Sequence, residues 1–144
     1  MSKELRVLTP QEVIQLVNSA PSWSRDPVIA MGDYITFFDK HAVAMCGLVI
    51  DNKPVYCGFL IPINGIYGLW TIIEKDSKHQ HSIYKAAKKV SHAWSDIFGK
   101  VYSYTKPEFV NWVKKMGFKT EGVEGDYTIL SLTKKEELCT VGSM

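Results

Sequence analysis

The chain has 144 residues, of which 46% are hydrophobic and 22% charged, and its formal net charge is +2 at pH 7. This length predicts one domain with a sizeable core, at residues 1–133, and the charged and then small residues 134–144 predict a frayed tail. The near-neutral charge argues against a nucleic-acid binder that relies on electrostatic attraction.

Neither a membrane span nor a secretory leader is expected, because no apolar run is long enough and no basic-then-apolar segment opens the chain. We therefore expect an intracellular protein or one carried in a particle. The three cysteines, Cys46, Cys57 and Cys139, have no metal-site spacing, and an odd count argues against a disulfide framework. They are interpreted as reduced thiols, two in the core and one in the tail.

The chain opens with a predicted strand at residues 4–8, followed by a clear helix start. Thr9 can cap that helix, Pro10 suits its first position, and Glu12 can complete a capping box. The helix is expected to stop before Pro21, which disfavours helical geometry in the residue before it.

Residues 22–27 are interpreted as a loop that ends in a second helix start, Asp26-Pro27. The apolar residues of 30–38 have helical spacing, but the run Tyr34–Phe38 favours a strand, so both alternatives stay open.

A meander of three strands is predicted next, at residues 42–50, 55–63 and 66–74, with turns at 51–54 and 62–65. These strands are apolar on both faces. We therefore expect helices on both sides of a mixed, mostly antiparallel central sheet, which is an α+β fold.

The rest of the chain is organised around residues 67–98. A buried strand (67–73) leads through a polar turn (74–81) into an amphipathic helix whose apolar face carries Ile83, Ala87, Val90, Trp94 and Phe98. Backbone N–H groups at such a helix start lack partners, and the helix dipole adds partial positive charge. The junction is therefore a potential phosphate site. The alternative is a plain strand-to-helix connection.

After Gly99, which suits a left-handed helix cap, we predict a short strand at residues 101–104. The pattern Thr105-Lys106-Pro107-Glu108 predicts a second capping box. The helix that follows is expected to end at Gly117, and residues 121–132 form a last strand or pair of strands.

This order of elements, with Met116-Gly117-Phe118 closing the last helix, resembles the GNAT acyltransferase fold from Arg6 to Leu132. More narrowly, segment 101–117 resembles GNAT-like proteins of short-tailed bacteriophages, acetyltransferase-like or internal virion proteins. The resemblance implies an acetyl-CoA-dependent transfer of an acetyl group to an amine.

The resemblance also implies where the cofactor and the chemistry would lie. The pantetheine arm would bind the backbone of the fourth strand, at Leu69, Trp70, Thr71, Ile72 and Ile73. The pyrophosphate would bind the turn that enters the long helix, at Lys75, Lys78, His79, His81 and Ser82. Glu74 is the candidate general base by position.

An alternative hypothesis is a GNAT-fold protein without catalysis that binds a protein partner, in a virion or on a host factor. It is favoured because residues 75–82 contain no glycine and because Val113 and Lys106 stand where the family has a Tyr acid and an Asn. A nucleic-acid-binding module is a weaker alternative. No metal site is predicted, since nothing completes a ligand set with His79 and His81.

Overall fold

The computed structural model describes residues 2–133, so the predicted tail at 134–144 and Cys139 lie outside it. The chain divides into two compact units, with the boundary between Val90 and Ser91. The single domain expected for residues 1–133 stays a prediction.

The first unit contains four strands and four helices, the last of which continues past the unit boundary. The strands are β1 (Lys3–Arg6), β2 (Ala44–Ile50), β3 (Lys53–Ile63) and β4 (Ile66–Ile73); the helices are α1 (Pro10–Ser19), α2 (Ser22–Ile29), α3 (Tyr34–His41) and α4 (Gln80–Phe98). The strands pair in chain order, and all three pairings are antiparallel. The predicted meander is confirmed, with its first turn carried by the positive φ angles of Asp51 and Asn52.

One hydrophobic core joins α1, α2 and α3 to β2, β3 and β4. Phe38 of α3 stacks on Phe59 of β3, with ring centroids 3.8 Å apart and ring planes 8° apart. Phe38 also meets Trp70 of β4 edge-on at 5.8 Å. These three rings fix α3 against the strands that lead to the candidate site.

The capping box predicted at the start of α1 is confirmed. The Thr9 side chain accepts a hydrogen bond from the Glu12 amide, and the Glu12 carboxylate accepts one from the Thr9 amide. Arg6 also donates two hydrogen bonds to the Glu12 carboxylate, at 2.8 and 2.7 Å. The hydrogen bond from Arg6 is the main cause that lowers the pKa of Glu12 from 4.5 to about 2, with the Thr9 amide second.

We expect Glu12→Gln to lower the free energy of unfolding by about 1–2 kcal/mol at pH 7, because it removes a charged partner of Arg6. The folded-state pKa of Glu12 lies below its ordinary value, so its contribution is present above about pH 4.5 and is lost as the pH falls towards 2. Urea unfolding at a series of pH values would measure the difference between variant and parent chain, which should shrink over that range.

The matched control for Glu12→Gln is Glu4→Gln, since Glu4 also pairs with Arg6, at 3.0 Å, but its side chain is 61% exposed. An exposed pair contributes little, so this variant should stay within about 0.5 kcal/mol of the parent chain. A pH-independent difference for Glu12→Gln would contradict the assigned role of its charge.

The loop predicted at residues 22–27 is wrong, because α2 already begins at Ser22 and includes Pro27. Tertiary contact explains the helix. Ser24 and Val28 lie one turn apart and are both buried, and the Ser24 hydroxyl donates to the Thr71 carbonyl oxygen of β4 at 3.3 Å. This packing offsets the hydrogen bond that Pro27 cannot make.

The sequence left residues 34–38 open between a helix and a strand, and the structure has a helix there. Asp33 caps α3 by accepting a hydrogen bond from the Thr36 amide at 3.2 Å, so the helix begins at Tyr34 rather than earlier. The strand alternative for residues 34–38 is therefore wrong.

The second unit contains the end of α4, three strands and a short helix. Its further elements are β5 (Lys100–Thr105), a 3-10 turn (Pro107–Phe109), α5 (Val110–Lys114), β6 (Lys119–Glu124) and β7 (Tyr127–Thr133). Strand β7 pairs antiparallel with both β5 and β6. Gly99 directly follows α4 and has a φ angle of +94°, so the predicted helix end there is confirmed. The end predicted at Gly117 is wrong, because α5 already ends at Lys114 and Gly117, with φ of +110°, lies in the turn that follows.

The second capping box, predicted at Thr105–Glu108, is wrong. Thr105 is the buried last residue of β5, and its hydroxyl shares a hydrogen bond of 2.9 Å with the Ser103 hydroxyl. Lys106 precedes the 3-10 turn and makes no side-chain cap. The hydroxyl that the sequence pattern assigned to a helix start therefore bonds to another side chain of β5.

None of the helices within residues 2–133 combines the length and apolarity that a membrane crossing demands. Cys46 and Cys57 are free thiols, half-buried and buried respectively. Burial raises the pKa of both thiols, which keeps them protonated and fits the predicted core role.

Candidate functional site

The candidate pantetheine strand, residues 69–73, is the second half of β4. It pairs antiparallel with β3, so that Leu69 lies opposite Leu60 and Ile73 opposite Tyr56. Ile72 is fully buried in the core shared with α1 and α3, and Trp70 packs against the same core. Since side chains alternate along a strand, Leu69, Thr71 and Ile73 lie on the opposite face.

Two backbone hydrogen bonds fix the direction in which the chain leaves β4. The Glu74 amide donates to the Val55 carbonyl oxygen at 3.0 Å, and the Lys75 amide donates to the Ser19 carbonyl oxygen at 2.9 Å. The start of the turn is therefore anchored to β3 on one side and to the end of α1 on the other.

The turn is closed without glycine. Asp76 takes a left-handed conformation with φ of +49°, which Asp tolerates better than most residues. Ser77 is buried, and its hydroxyl accepts a hydrogen bond from the His79 amide at 3.0 Å. A serine side chain thus holds the chain in place immediately before α4.

The first turn of α4 presents backbone N–H groups. The Ile83 amide donates to the His79 carbonyl oxygen at 2.9 Å, which makes His79 the cap residue. For the amides of Gln80, His81 and Ser82, no acceptor is found among residues 2–133. The first turn also contains no acidic residue, so the partial positive charge of the helix start is not neutralised locally.

The side chains of the turn add basic groups at the same place. Lys75, Lys78 and His81 are exposed, whereas His79 and Ser82 are half-buried. Asp76 is the exposed carboxylate among them. Every residue of the predicted phosphate turn therefore lies at the junction of β4 and α4, with amides and basic side chains close in sequence.

Glu74, the candidate base, is held by an ion pair. Its side chain is only 12% exposed, and its Oε2 lies 2.6 Å from the Nζ of Lys53 at the start of β3. Within the described residues, no partner is found for its other oxygen, Oε1. The carboxylate is thus oriented by Lys53 and keeps one oxygen for a further hydrogen bond.

Sequence reasoning missed two residues that build this site, Ser77 and Lys53. The Ser77 contact has a local signal, a hydroxyl two residues before the helix cap, which is a known turn pattern. The contact between Lys53 and Glu74 has no such local signal in the sequence. It follows only from the register of β3 and β4, which places Ile73 beside Tyr56.

Solved structures with the same fold cover nearly the whole chain. The PaiA N-acetyltransferase of Thermoplasma acidophilum, in complex with coenzyme A, matches 92% of this chain and 99% of its own at 15% identity, with a TM-score of 0.65. The ribosomal-protein-S18-alanine N-acetyltransferase of Escherichia coli matches 98% and 99% at 9% identity, with a TM-score of 0.67. An N-acetyltransferase of Staphylococcus aureus Mu50 matches 94% and 100% at 8% identity, with a TM-score of 0.70.

No family model matches the sequence, and no curated protein sequence matches it significantly. The likeness to the solved N-acetyltransferases therefore establishes the fold. The predicted class, a mixed and mostly antiparallel GNAT-like α+β fold, is confirmed. The resemblance to bacteriophage proteins stays a prediction.

Proposed function

We propose that this chain is an acyltransferase that moves the acetyl group of acetyl-CoA to an amine. The observation that carries the proposal is the first turn of α4, where three consecutive amides have no acceptor within the described chain. Such amides bind phosphate oxygens well. The shared fold supports the proposal, and one of the solved proteins with that fold is a complex with coenzyme A.

In this function, the turn would hold the phosphates. The amides of Gln80, His81 and Ser82 would donate to phosphate oxygens, and Lys75 and Lys78 would add charge. His79 and the side chains of His81 and Ser82 are further candidate donors. The backbone of Leu69–Ile73 would hold the pantetheine arm, and that strand is already fixed on one side by β3.

The bound cofactor supplies a thioester whose carbonyl carbon accepts a nucleophile. The nitrogen of the acceptor amine would attack that carbon, forming the new C–N bond while the C–S bond breaks and the thiolate of CoA leaves. The amine loses one proton in the process. Glu74 is our candidate to accept it, through the oxygen that Lys53 leaves unoccupied.

The second candidate function is a GNAT-fold protein that no longer catalyses and instead binds a protein partner, of a virion or of a host. One specific observation favours it, the ion pair of 2.6 Å that binds Glu74 to Lys53. Such an ion pair can serve the stability of the fold alone, so it gives Glu74 a role that requires no catalysis. Both proposed functions include a bacteriophage origin for the chain.

Acetyl-CoA should raise the melting temperature of the full chain, because a ligand that binds only the folded state stabilises it by mass action. At 100 times its Kd, the stabilisation is about 2.7 kcal/mol. Differential scanning fluorimetry and titration calorimetry would measure the shift and the Kd. S-acetylpantetheine, which keeps the thioester arm but lacks the phosphates and the adenosine, is the control and should bind more weakly.

An unchanged melting temperature at millimolar acetyl-CoA would overturn the acyltransferase proposal. If acetyl-CoA binds, mass spectrometry with a panel of amines separates the two candidate functions. Acetylated product supports catalysis. Binding without product from any amine supports the second function.

A further inference from the structure

A cavity of about 300 Å³ lies in the first unit, beside the connection between β1 and α1. This volume is at the lower end of the range for small-molecule sites. Its walls come from that connection, from α3 and from the first residues of β2. Its apolar lining residues include Val7, Leu8, Ile35, Phe38, Val43 and Met45.

The rim of the cavity is apolar and exposed. Val7 is 65% exposed and Val43 is 49% exposed, although both are large hydrophobic residues that fold more favourably when covered. Both line the cavity. A ligand with an apolar group would bury these side chains.

Asp39 gives the cavity a charge. It is the one charged residue among those that line the cavity, and its side chain makes no ion pair or hydrogen bond within residues 2–133. It lies near the carbonyl end of α3, where the helix dipole adds partial negative charge. Lys40 and His41 share that turn but do not line the cavity. The negative charge of Asp39 therefore favours a ligand with a cationic group.

The Leu8 amide supplies a second polar group. It donates to the Sδ of Met45 at 3.3 Å, and a thioether is only a weak acceptor. A carbonyl or hydroxyl oxygen of a ligand would be a stronger acceptor for the same N–H group.

We infer that this cavity binds a small amine that combines an apolar body, a protonated amino group and a neutral hydrogen-bond acceptor. The apolar body would cover the exposed side chains of Val7 and Val43, the ammonium group would pair with Asp39, and the acceptor would meet the Leu8 amide. This inference does not depend on acetyl-CoA, because it concerns binding in the cavity and not transfer.

Phenylalaninamide is the probe that tests the inference on the full chain, and 3-phenylpropanamide is its matched control because it lacks only the amino group. We expect saturable binding of phenylalaninamide in titration calorimetry and at least tenfold weaker binding of 3-phenylpropanamide. Amide chemical-shift changes in NMR spectra should include Leu8 and the end of α3.

Asp39→Asn should weaken phenylalaninamide binding about tenfold and leave that of 3-phenylpropanamide unchanged. The matched variant is Asp26→Asn, an exposed aspartate outside the cavity, which should bind as the parent chain does. Ala44→Leu, which places a larger side chain in the cavity wall, should abolish binding while circular dichroism stays unchanged.

The inference is overturned if phenylalaninamide does not bind at millimolar concentration. It is also overturned if both ligands bind equally, if Asp39→Asn binds as the parent chain does, or if the shift changes lie outside the cavity. None of these outcomes bears on the acetyl-CoA proposal, which has its own binding test.

Discussion

Replacing Phe38 with alanine is expected to lower the free energy of unfolding by about 3–5 kcal/mol. Phe38 is 4% exposed, stacks on Phe59 and meets the edge of Trp70. The substitution removes the buried ring and, with it, the contacts with Phe59 and Trp70. It also opens a void between α3 and the sheet that rigid neighbours cannot fill.

Urea unfolding followed by tryptophan fluorescence and circular dichroism would measure this effect, since Trp70 lies next to the altered ring. Ile29→Ala is the matched control, because Ile29 is a large hydrophobic residue of the same unit that is 49% exposed. That variant should change stability by no more than about 0.5 kcal/mol. A loss below about 1 kcal/mol for Phe38→Ala would contradict the stacked arrangement.

Features of the fold with a local cause could be predicted from the sequence. The capping box at Thr9 and Glu12 needs only residues three positions apart, and the helix end at Gly99 needs only a residue that tolerates positive φ. The hairpins follow from polar turns between apolar runs. In each case the signal and the structure occupy the same few residues.

The failures have a common physical cause, which is contact between segments distant in sequence. Residues 22–27 contain a proline and small polar residues, yet burial of Ser24 against β4 keeps them helical. Thr105 matches a capping pattern, yet β5 pairs with β7 through that residue and its hydroxyl bonds to Ser103. Local propensity is a weak prior that such packing overrides.

The candidate site likewise has features with a local cause and features that depend on contacts between distant segments. Its position after β4 and its amides follow from the strand-turn-helix pattern, and the structure places them there. The orientation of Glu74 depends on Lys53, 21 positions earlier in the sequence. A contact of that kind requires the register of two strands, which single-sequence patterns do not give.

The acetyl-CoA proposal makes its sharpest prediction at Gln80, the first residue of α4. Gln80→Pro removes one N–H group from the first turn and leaves the helix intact, because proline suits the first helical position and favours an extended conformation in the preceding cap residue. We expect the Kd for CoA to rise about 10- to 100-fold, since a hydrogen bond to a charged phosphate is worth about 1.5–3 kcal/mol. Titration calorimetry would measure the change.

Gln80→Ala is the matched control because it removes the same side chain but keeps the N–H group. If the backbone binds the phosphates, Gln80→Ala should keep the affinity of the parent chain within about twofold while Gln80→Pro loses most of it. Equal losses in the two variants would mean that the side chain makes the contact. Equal retention would mean that the phosphates bind elsewhere, and the start of α4 would then have only the role of connecting a strand to a helix.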